Sequence, residues 1–239
     1  MTARGAGLRG PRGPVFEGVD LDVPAGGLLV AHGPAGSGRT ALLLTLAGRM
    51  RPSSGVVRVD AGRAAGRIRA RQAVAVARAE PAVGLEVRLR VRELVAERRW
   101  LEQGATPRRI VEAARLVGLR HLRGRALAED LAPLEALQLA VALAFAARPA
   151  GLVVDGVDDG LPDADRHRAW QGLEAVRACG CTVLASALQP PADAGPDTVL
   201  LSLPARSADR LPAAPPARSA DHRPTTCPTA RPSGKGAAA

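Results

Sequence analysis

The segment from residue 33 to residue 40 constrains the fold of this chain more than any other feature of the sequence. It reads Gly-Pro-Ala-Gly-Ser-Gly-Arg-Thr, and it lies between a short apolar run, residues 27–31, and a helix-like run, residues 41–48. A glycine, four residues, a second glycine, a basic residue and then Ser or Thr is the pattern of a phosphate-binding loop. The sequence therefore predicts a strand, the loop and a helix in that order, which separates such a loop from a chance cluster of glycines.

The residue types in this loop suit nucleotide phosphates. Glycines let the backbone curl so that successive N–H groups point into one concavity, and the N-terminus of the next helix adds positive potential there. Thr40 would offer its hydroxyl to Mg²⁺, and Arg39 would supply a cation to the outer phosphates. The predicted nucleotide-binding residues are Gly33, Pro34, Ala35, Gly36, Ser37, Gly38, Arg39 and Thr40. The alternative is a glycine-rich turn in a chain that contains 26 glycines.

Arg39 stands where this kind of loop ordinarily has lysine. Lysine is a compact charge, whereas a guanidinium is planar and needs a fork-shaped partner. Lys235 is the single lysine of the chain, so a general bias towards arginine accounts for the exchange. We expect the exchange of lysine for arginine to preserve nucleotide binding but to be less favourable for fast phosphoryl transfer.

The composition favours one α/β domain with an aliphatic core. At 239 residues the chain is long enough for a full core, and hydrophobic residues make up 46% of it while aromatic residues make up 2%. Few aromatics argue against stacking platforms for single-stranded nucleic acid. The net charge of +10 is scattered along the chain, and residues 204–239 carry +4 of it. We therefore expect no specific nucleic-acid partner.

Neither a metal framework nor a membrane segment is predicted. Three cysteines, Cys179, Cys181 and Cys227, have no zinc-ligand spacing and form no even disulfide set, which indicates a reducing compartment. Residues 1–14 lack the apolar middle section of a signal peptide. Residues 131–147 form an interrupted apolar run, shorter than the roughly 20 residues that cross a bilayer. We expect a soluble protein.

Strands and helices are predicted to alternate, which is typical of an α/β fold with a mainly parallel sheet. The predicted strands are 15–23, 27–31, 56–59, 73–77, 151–155, 181–186 and 198–202. The predicted helices are 41–48, 91–100, 107–117, 133–147 and 163–178. Residues 204–239 are dominated by Pro, Ala, Ser, Arg and Thr, with one short duplication, and cannot bury enough apolar area to order themselves. We expect them to be a disordered tail.

A second part of the predicted site lies far downstream, where a buried strand ends in Asp155. In phosphate-loop proteins an aspartate at such a position holds Mg²⁺ together with the loop's Ser or Thr, so the predicted metal ligands are Thr40 and Asp155. The catalytic residue is unassigned, because Gly156 stands where the general base is expected. Asp158 or Asp159 could substitute, although both more simply cap the following helix.

Residues 8–202 resemble the nucleotide-binding subunits of ATP-binding-cassette (ABC) transporters. The resemblance rests on the loop helix and Pro-x-x-Gly turn of residues 42–55, the signature position at 131–135, Arg148-Pro149, the dimer-contacting loop at 160–163 and the strand at 182–186. It implies an ABC-ATPase type of P-loop NTPase fold over residues 1–203, with a helical subdomain at about 91–147 and an antiparallel N-terminal β part.

The same resemblance implies ATP and Mg²⁺ as cofactors and an integral-membrane permease as partner. It further implies a homodimer, or a heterodimer with another ABC ATPase, that is cytoplasmic and peripheral on the inner face of the cell membrane. The expected function is the ATP-binding subunit of a transporter, with or without weak hydrolysis. The main alternative is a catalytically inactive nucleotide-binding pseudoenzyme that acts as a regulatory or scaffold partner, and a small-molecule kinase fits less well.

Departures from the family pattern concentrate in the hydrolytic machinery. The family's Ser-Gly-Gly-Gln aligns with residues 132–135 (Ala-Pro-Leu-Glu), its switch histidine with Leu188 and its base with Gly156, while Ala79 and Glu80 stand near the place of a glutamine. Each such loss typically costs about two or more orders of magnitude in rate. The resemblance therefore implies slow or absent hydrolysis.

Remaining polar and aromatic residues have ordinary structural interpretations. Phe16 is expected to face the core rather than adenine, His32 to end a strand, and Trp100 and Trp170 to pack on helices. Glu129 and Asp130 either cap the helix that starts near Pro133 or face solvent.

Overall fold

The protein is described by a computed structural model, which covers residues 1–59, 70–195 and 197–205. In that part of the chain the strands are β1 Thr2–Gly10, β2 Gly13–Asp22, β3 Leu28–His32, β4 Ser54–Arg58, β5 Val74–Arg78, β6 Gly151–Val154, β7 Thr182–Ala187 and β8 Thr198–Ser202. The helices are α1 Arg39–Leu46, α2 Ala70–Ala73, α3 Val91–Leu101, α4 Pro107–Leu116, α5 Pro133–Phe145 and α6 Asp163–Ala178. The protein is therefore an α/β fold, as predicted.

The strands form two sheets. β2, β1 and β4 pair in that order as an antiparallel sheet, and β5, β6, β7, β3 and β8 pair in that order as a parallel sheet. β6 and β7 are buried along their whole length, as expected for central strands that are covered on both faces. Because all five strands of the second sheet run the same way, the segments that follow β3, β5 and β6 meet at one edge, where α/β proteins bind ligands.

Hydrophobic clusters cover both faces of the parallel sheet, and the alternation of side chains along β3 assigns residues to them. Leu28 and Val30 belong to the cluster that contains α4 and α5, whereas Leu29 and Ala31 belong to the cluster that contains α1. Ile110 on α4 is fully buried, and burial of a side chain of this size contributes about 1.5–3 kcal/mol. The sheet edge that carries the loop is thus held between two packed layers.

Local sequence explains where the helices begin. The Thr106 hydroxyl accepts a hydrogen bond from the Arg109 N–H at 3.3 Å, and Pro107 occupies the first turn of α4, where no N–H is needed. α5 also begins at a proline, Pro133, and the Glu135 carboxylate accepts a hydrogen bond from the Ala132 N–H at 3.2 Å. Both helix starts agree with the predicted ones.

The strand β1, the short helix α2 and the exposure of Trp100 differ from the predictions. β1 was not predicted, because its residues TARGAGLRG contain mostly small and charged side chains without apolar alternation, and the strand is defined by its pairing with β2 and β4. The prediction that Trp100 packs is wrong, because this side chain is 86% exposed at the end of α3. Trp170 is half-buried and packs against the core as predicted.

The predicted tail, residues 204–239, lies outside the described residues except for its first two, so its disorder stays a prediction. The domain limits at 203 and the helical subdomain at 91–147 stay predictions as well. No helix in the described part combines the length and the apolar character that crossing a membrane requires.

Candidate functional site

The glycine-rich loop connects β3 to α1, as predicted. Gly38 has a φ of +94°, and a Cβ there would lie 2.7 Å from the Val15 carbonyl oxygen, so only glycine fits between β2 and the start of α1. The Ser37 N–H donates to the Pro34 carbonyl at 3.2 Å and closes the turn. The first N–H groups of α1 have no partner within the helix, so they are free to face an anion.

The surroundings of the Arg39 side chain indicate which kind of ligand suits the loop. Its Nη1 atom is buried and has no hydrogen-bond partner among the described residues, and the same is true of the Ser37 hydroxyl. A buried polar group without a partner costs about 1–3 kcal/mol, and more if it is charged. A phosphate oxygen is the kind of acceptor that a guanidinium pairs with best. Arg39, which stands in place of the usual lysine, therefore has a hydrogen-bond donor beside the loop that no described residue uses.

Thr40 and Asp155, the predicted metal ligands, are brought together. The Thr40 hydroxyl donates to Asp155 Oδ2 at 2.6 Å. The other carboxylate oxygen accepts a hydrogen bond from Ser186, whose Oγ in turn accepts from the Gly156 N–H at 2.9 Å. These contacts fix the direction of the carboxylate at the end of β6.

This pair fits Mg²⁺, which is usually held by one or two carboxylates, with water and phosphate oxygens completing the octahedron. The described residues contain no group of three or more His, Cys, Asp and Glu that could hold a metal by themselves. A Mg²⁺ ion at Thr40 and Asp155 would therefore take most of its ligands from nucleotide and water.

Two neighbouring cavities flank the loop. One of about 320 Å³ is lined by Arg39, Thr40, Arg78, Glu80, Asp155, Gly156 and Asp159. The other, of about 300 Å³, is lined by Gly36, Ser37, Gly38, Arg39, Thr40, Ala41, Leu44, Met50, Glu80, Pro81 and Ala82. Because they share residues of the loop, they form one groove along it.

A larger cavity, of about 470 Å³, lies at α4, α5 and α6. Its walls include Arg120 and Arg168 but no residue of the glycine-rich loop and no carboxylate. This larger cavity therefore lacks the loop and the carboxylate that suit a nucleotide with Mg²⁺.

Arg78 is a residue of the groove that the sequence analysis missed. It ends β5, its side chain is mostly buried, and its Nε donates to the Asp155 carbonyl at 2.9 Å. Its Nη2 donates to the Gly156 carbonyl and lies 3.8 Å from Asp159 Oδ2. The sequence signal that could have identified Arg78 is a charged residue at the end of an apolar strand. Ser186, a hydroxyl in the otherwise apolar strand β7, was a similar one.

The structure separates the two aspartates that were candidates for the base. The buried Asp158 carboxylate accepts from the Leu188 N–H at 2.8 Å and from the Gln189 N–H at 3.4 Å, so it ties the turn after β6 to the end of β7. Asp159 faces the groove. Burial raises the pKa of Asp159, and the nearby Arg78 opposes this effect.

The prediction that these aspartates cap the following helix is wrong. α6 begins after Pro162 and has no side-chain cap. The carboxylate of Asp158 is used by the turn after β7 instead, and that of Asp159 faces Arg78.

Other predicted residues lie where they were expected. Phe16 is buried in β2, and His32 is the last residue of β3. Leu188, aligned with the family's switch histidine, is 48% exposed directly after β7. Glu129 and Asp130 form a 3₁₀ turn and are exposed, which agrees with the solvent-facing alternative.

Comparison with known proteins identifies one family. The sequence model of the family described as ABC transporter matches residues 16–157. Over 181 residues the chain is 29% identical to the zinc import ATP-binding protein ZnuC of Roseobacter denitrificans, which covers 75% of this chain and 66% of that protein.

Two shorter matches are closer in sequence. The cytochrome c biogenesis ATP-binding export protein CcmA of Cupriavidus pinatubonensis is 51% identical over 49 residues, or 20% of this chain and 21% of that protein. The taurine import ATP-binding protein TauB of Pseudomonas syringae pv. tomato is 45% identical over 56 residues, or 23% of this chain and 22% of that protein. The chain thus spans about a fifth of the length of these two relatives.

Solved structures share the fold at low sequence identity. A dimeric post-hydrolysis state of the ATP-binding cassette MJ0796 bound to ADP and Pi has a TM-score of 0.63 at 16% identity, over 79% of this chain and 88% of that one. The protein cbiO1 from Clostridium perfringens, part of the ABC transporter complex cbiONQ, has a TM-score of 0.63 at 18% identity, over 79% of this chain and 78% of that one.

Proposed function

The chain belongs to the ABC transporter family, and we propose that it is the ATP-binding subunit of such a transporter, coupling nucleotide binding to a separate membrane permease. The observation that carries the proposal is the contact of Thr40 with Asp155 at 2.6 Å, beside a guanidinium nitrogen of Arg39 that is buried and without a partner among the described residues. A hydroxyl, a carboxylate and a free cation around one loop suit a nucleotide triphosphate with Mg²⁺.

Each group has a distinct part in binding. The loop amides and the N-terminus of α1 would hold phosphate oxygens, and Arg39 would offset the negative charge of the outer phosphates. Thr40 and Asp155 would hold Mg²⁺, which when bound neutralises phosphate charge and polarises the terminal phosphorus. The side chains of Ser186 and Arg78 keep the Asp155 segment in place before any ligand arrives.

Partners and location follow from the family. Relatives carry names such as zinc import and taurine import ATP-binding protein, and a family structure is dimeric. We infer that this chain works as a homodimer or as a heterodimer with another ABC ATPase, on the inner face of the cell membrane and against an integral-membrane permease. The comparisons with known proteins give the inactive pseudoenzyme no better support than this function.

The experiment that tests the proposal combines two readouts on the full-length chain. Nucleotide binding is measured by calorimetry with Mg²⁺-ATP and with AMP, and we expect clear preference for ATP. The chain is also coexpressed with candidate polytopic permease subunits, and we expect it to copurify in detergent with its cognate permease. Equal affinity for ATP and AMP, or no affinity for either, would contradict the nucleotide part of the proposal.

A further inference from the structure

In this protein a carboxylate occupies the volume that a side chain at position 156 would take. Gly156 has a φ of +62°, and a Cβ built there would overlap the Asp159 carboxylate, with Asp159 Cγ at 2.6 Å and Arg78 Nη2 at 3.1 Å. Position 156 directly follows Asp155, at the wall of the 320 Å³ cavity. The Asp159 side chain therefore fills the space that a side chain at position 156 would occupy.

Arg78 explains why the Asp159 carboxylate stays there. Its guanidinium is fixed by the carbonyls of Asp155 and Gly156, and it presents Nη2 to Asp159 Oδ2 at 3.8 Å. The Arg78 side chain is only 17% exposed, whereas that of Asp159 is 60% exposed. Asp159 is thus positioned by a buried cation and still open to water in the cavity.

The other carboxylates of the region are less suited to accept a proton from water. Asp158 is buried and is used by the N–H groups of Leu188 and Gln189. Asp155 accepts hydrogen bonds from Thr40 and Ser186 and is the predicted metal ligand. Glu80 lines the cavity and is exposed, but no side-chain contact among the described residues fixes its carboxylate.

We propose that Asp159 is the catalytic carboxylate that takes a proton from the attacking water when bound ATP is hydrolysed, which rests on the proposed function above. The water oxygen forms a bond to the γ-phosphorus, and the bond from that phosphorus to the β–γ bridging oxygen breaks. ADP keeps the electron pair of the broken bond, and inorganic phosphate is the other product. The proton moves from the water to Asp159 and later to solvent. Burial raises the pKa of Asp159, which makes it a better proton acceptor.

Single-turnover hydrolysis of γ-labelled ATP tests this assignment, with the full-length protein in excess over nucleotide and Mg²⁺ present. Asp159→Asn keeps the shape of the side chain and removes its basicity. We expect it to lower the hydrolysis rate about 100-fold or more, the usual effect of losing a positioned base, with ATP affinity changed less than about twofold. Asp22→Asn, a matched change of an exposed carboxylate at the end of β2, should leave the rate unchanged.

A rescue experiment separates a catalytic role of Asp159 from a purely structural one. Asp159→Ala removes the carboxylate that overlaps a Cβ at position 156, so a glutamate introduced there by Gly156→Glu meets Arg78 Nη2 at 3.1 Å and the cost of a φ of +62°. We expect the double variant to hydrolyse ATP faster than Asp159→Ala alone, because it returns a carboxylate to the same part of the cavity. Gly156→Glu in the wild-type background should bring no gain, because the Asp159 carboxylate blocks the new side chain.

Each outcome has a defined meaning. Unchanged hydrolysis in Asp159→Asn, or loss of hydrolysis in Glu80→Gln alone, would overturn the assignment. A wild-type chain that binds ATP without any turnover would also overturn it, while the proposed binding function would stand. A chain that binds no ATP would instead contradict the proposed function itself.

Discussion

The Thr40 hydroxyl contacts the Asp155 carboxylate at 2.6 Å, although 115 positions separate the two residues in the chain. β7 lies between the strands that precede them, and Ser186 of β7 donates to the same carboxylate. Neighbouring strands are about 4.8 Å apart, and β3 and β6 are not neighbours. Thr40 therefore reaches Asp155 only because α1 starts over the end of the sheet. The contact therefore depends on the strand order as well as on the motif.

Asp155→Asn should remove most of the Mg²⁺ dependence of ATP binding, because the amide keeps the shape of the side chain but loses the charge that holds the ion. We expect wild-type affinity to fall at least about tenfold when Mg²⁺ is chelated, which corresponds to about 1.4 kcal/mol. The variant should bind equally weakly with and without Mg²⁺ in calorimetry. Asp130→Asn, an exposed carboxylate outside the groove, serves as control. Full Mg²⁺ dependence in the variant would remove Asp155 from the metal site.

Arg39→Ala should weaken ATP binding without weakening the fold. The loss of a charge-assisted hydrogen bond costs about 1.5–3 kcal/mol, or roughly 10- to 150-fold in Kd. Because Arg39 Nη1 has no partner among the described residues, its removal should leave the melting temperature of the nucleotide-free protein unchanged or slightly higher. Arg88→Ala, at an exposed arginine outside the groove, should affect neither quantity.

Arg39→Lys should retain most of the affinity of the wild-type chain. A lysine restores the charge that such loops ordinarily carry, although it lacks the guanidinium fork. If Arg39→Lys binds as poorly as Arg39→Ala in the same titration, the fork geometry rather than the charge decides binding.

Gly36→Val should abolish nucleotide binding and leave the protein folded. Gly36 has a φ of +78°, and a Cβ there meets no described atom within 4 Å, so the cost to the fold is about the 1–2 kcal/mol of a left-handed residue. The new side chain would project from the loop where phosphate is expected.

Gly180→Val is the matched control for this change, because Gly180 has a φ of +85°, equally open surroundings and a position outside the groove. Both variants should lose similar stability in thermal denaturation, but only Gly36→Val should lose binding. Equal ATP affinity of the two variants would show that residue 36 does not face the nucleotide.

Cys181 should resist alkylation in the folded protein, while Cys179 should react. Cys181 is buried directly before β7, and burial raises the pKa of its thiol to about 12, so the reactive thiolate is scarce near neutral pH. Cys179 is exposed. Iodoacetamide labelling with peptide mass mapping, before and after denaturation, measures both. Rapid native labelling of Cys181 would mean that the sheet opens at the N-terminal end of β7.

The sequence was sufficient for those parts of the site that are local or that follow a strand pattern. The loop at 33–40 is contiguous, and Asp155 directly follows a short apolar run that indicated a buried strand. Arg78, Ser186 and the separation of Asp158 from Asp159 could not be predicted, because their partners come from neighbouring strands whose order the sequence does not state. β1 was missed for the same reason, since the strand is defined by its pairing with β2 and β4.

Equilibrium binding of Mg²⁺-ATP to the full-length wild-type protein tests the central claim most directly, namely that a glycine-rich loop with Arg39 in place of lysine holds a nucleotide triphosphate. We expect saturable binding and a melting temperature that rises with ATP concentration, because the nucleotide binds only the folded chain. A folded sample that shows neither binding nor any rise in melting temperature at millimolar ATP would contradict the claim.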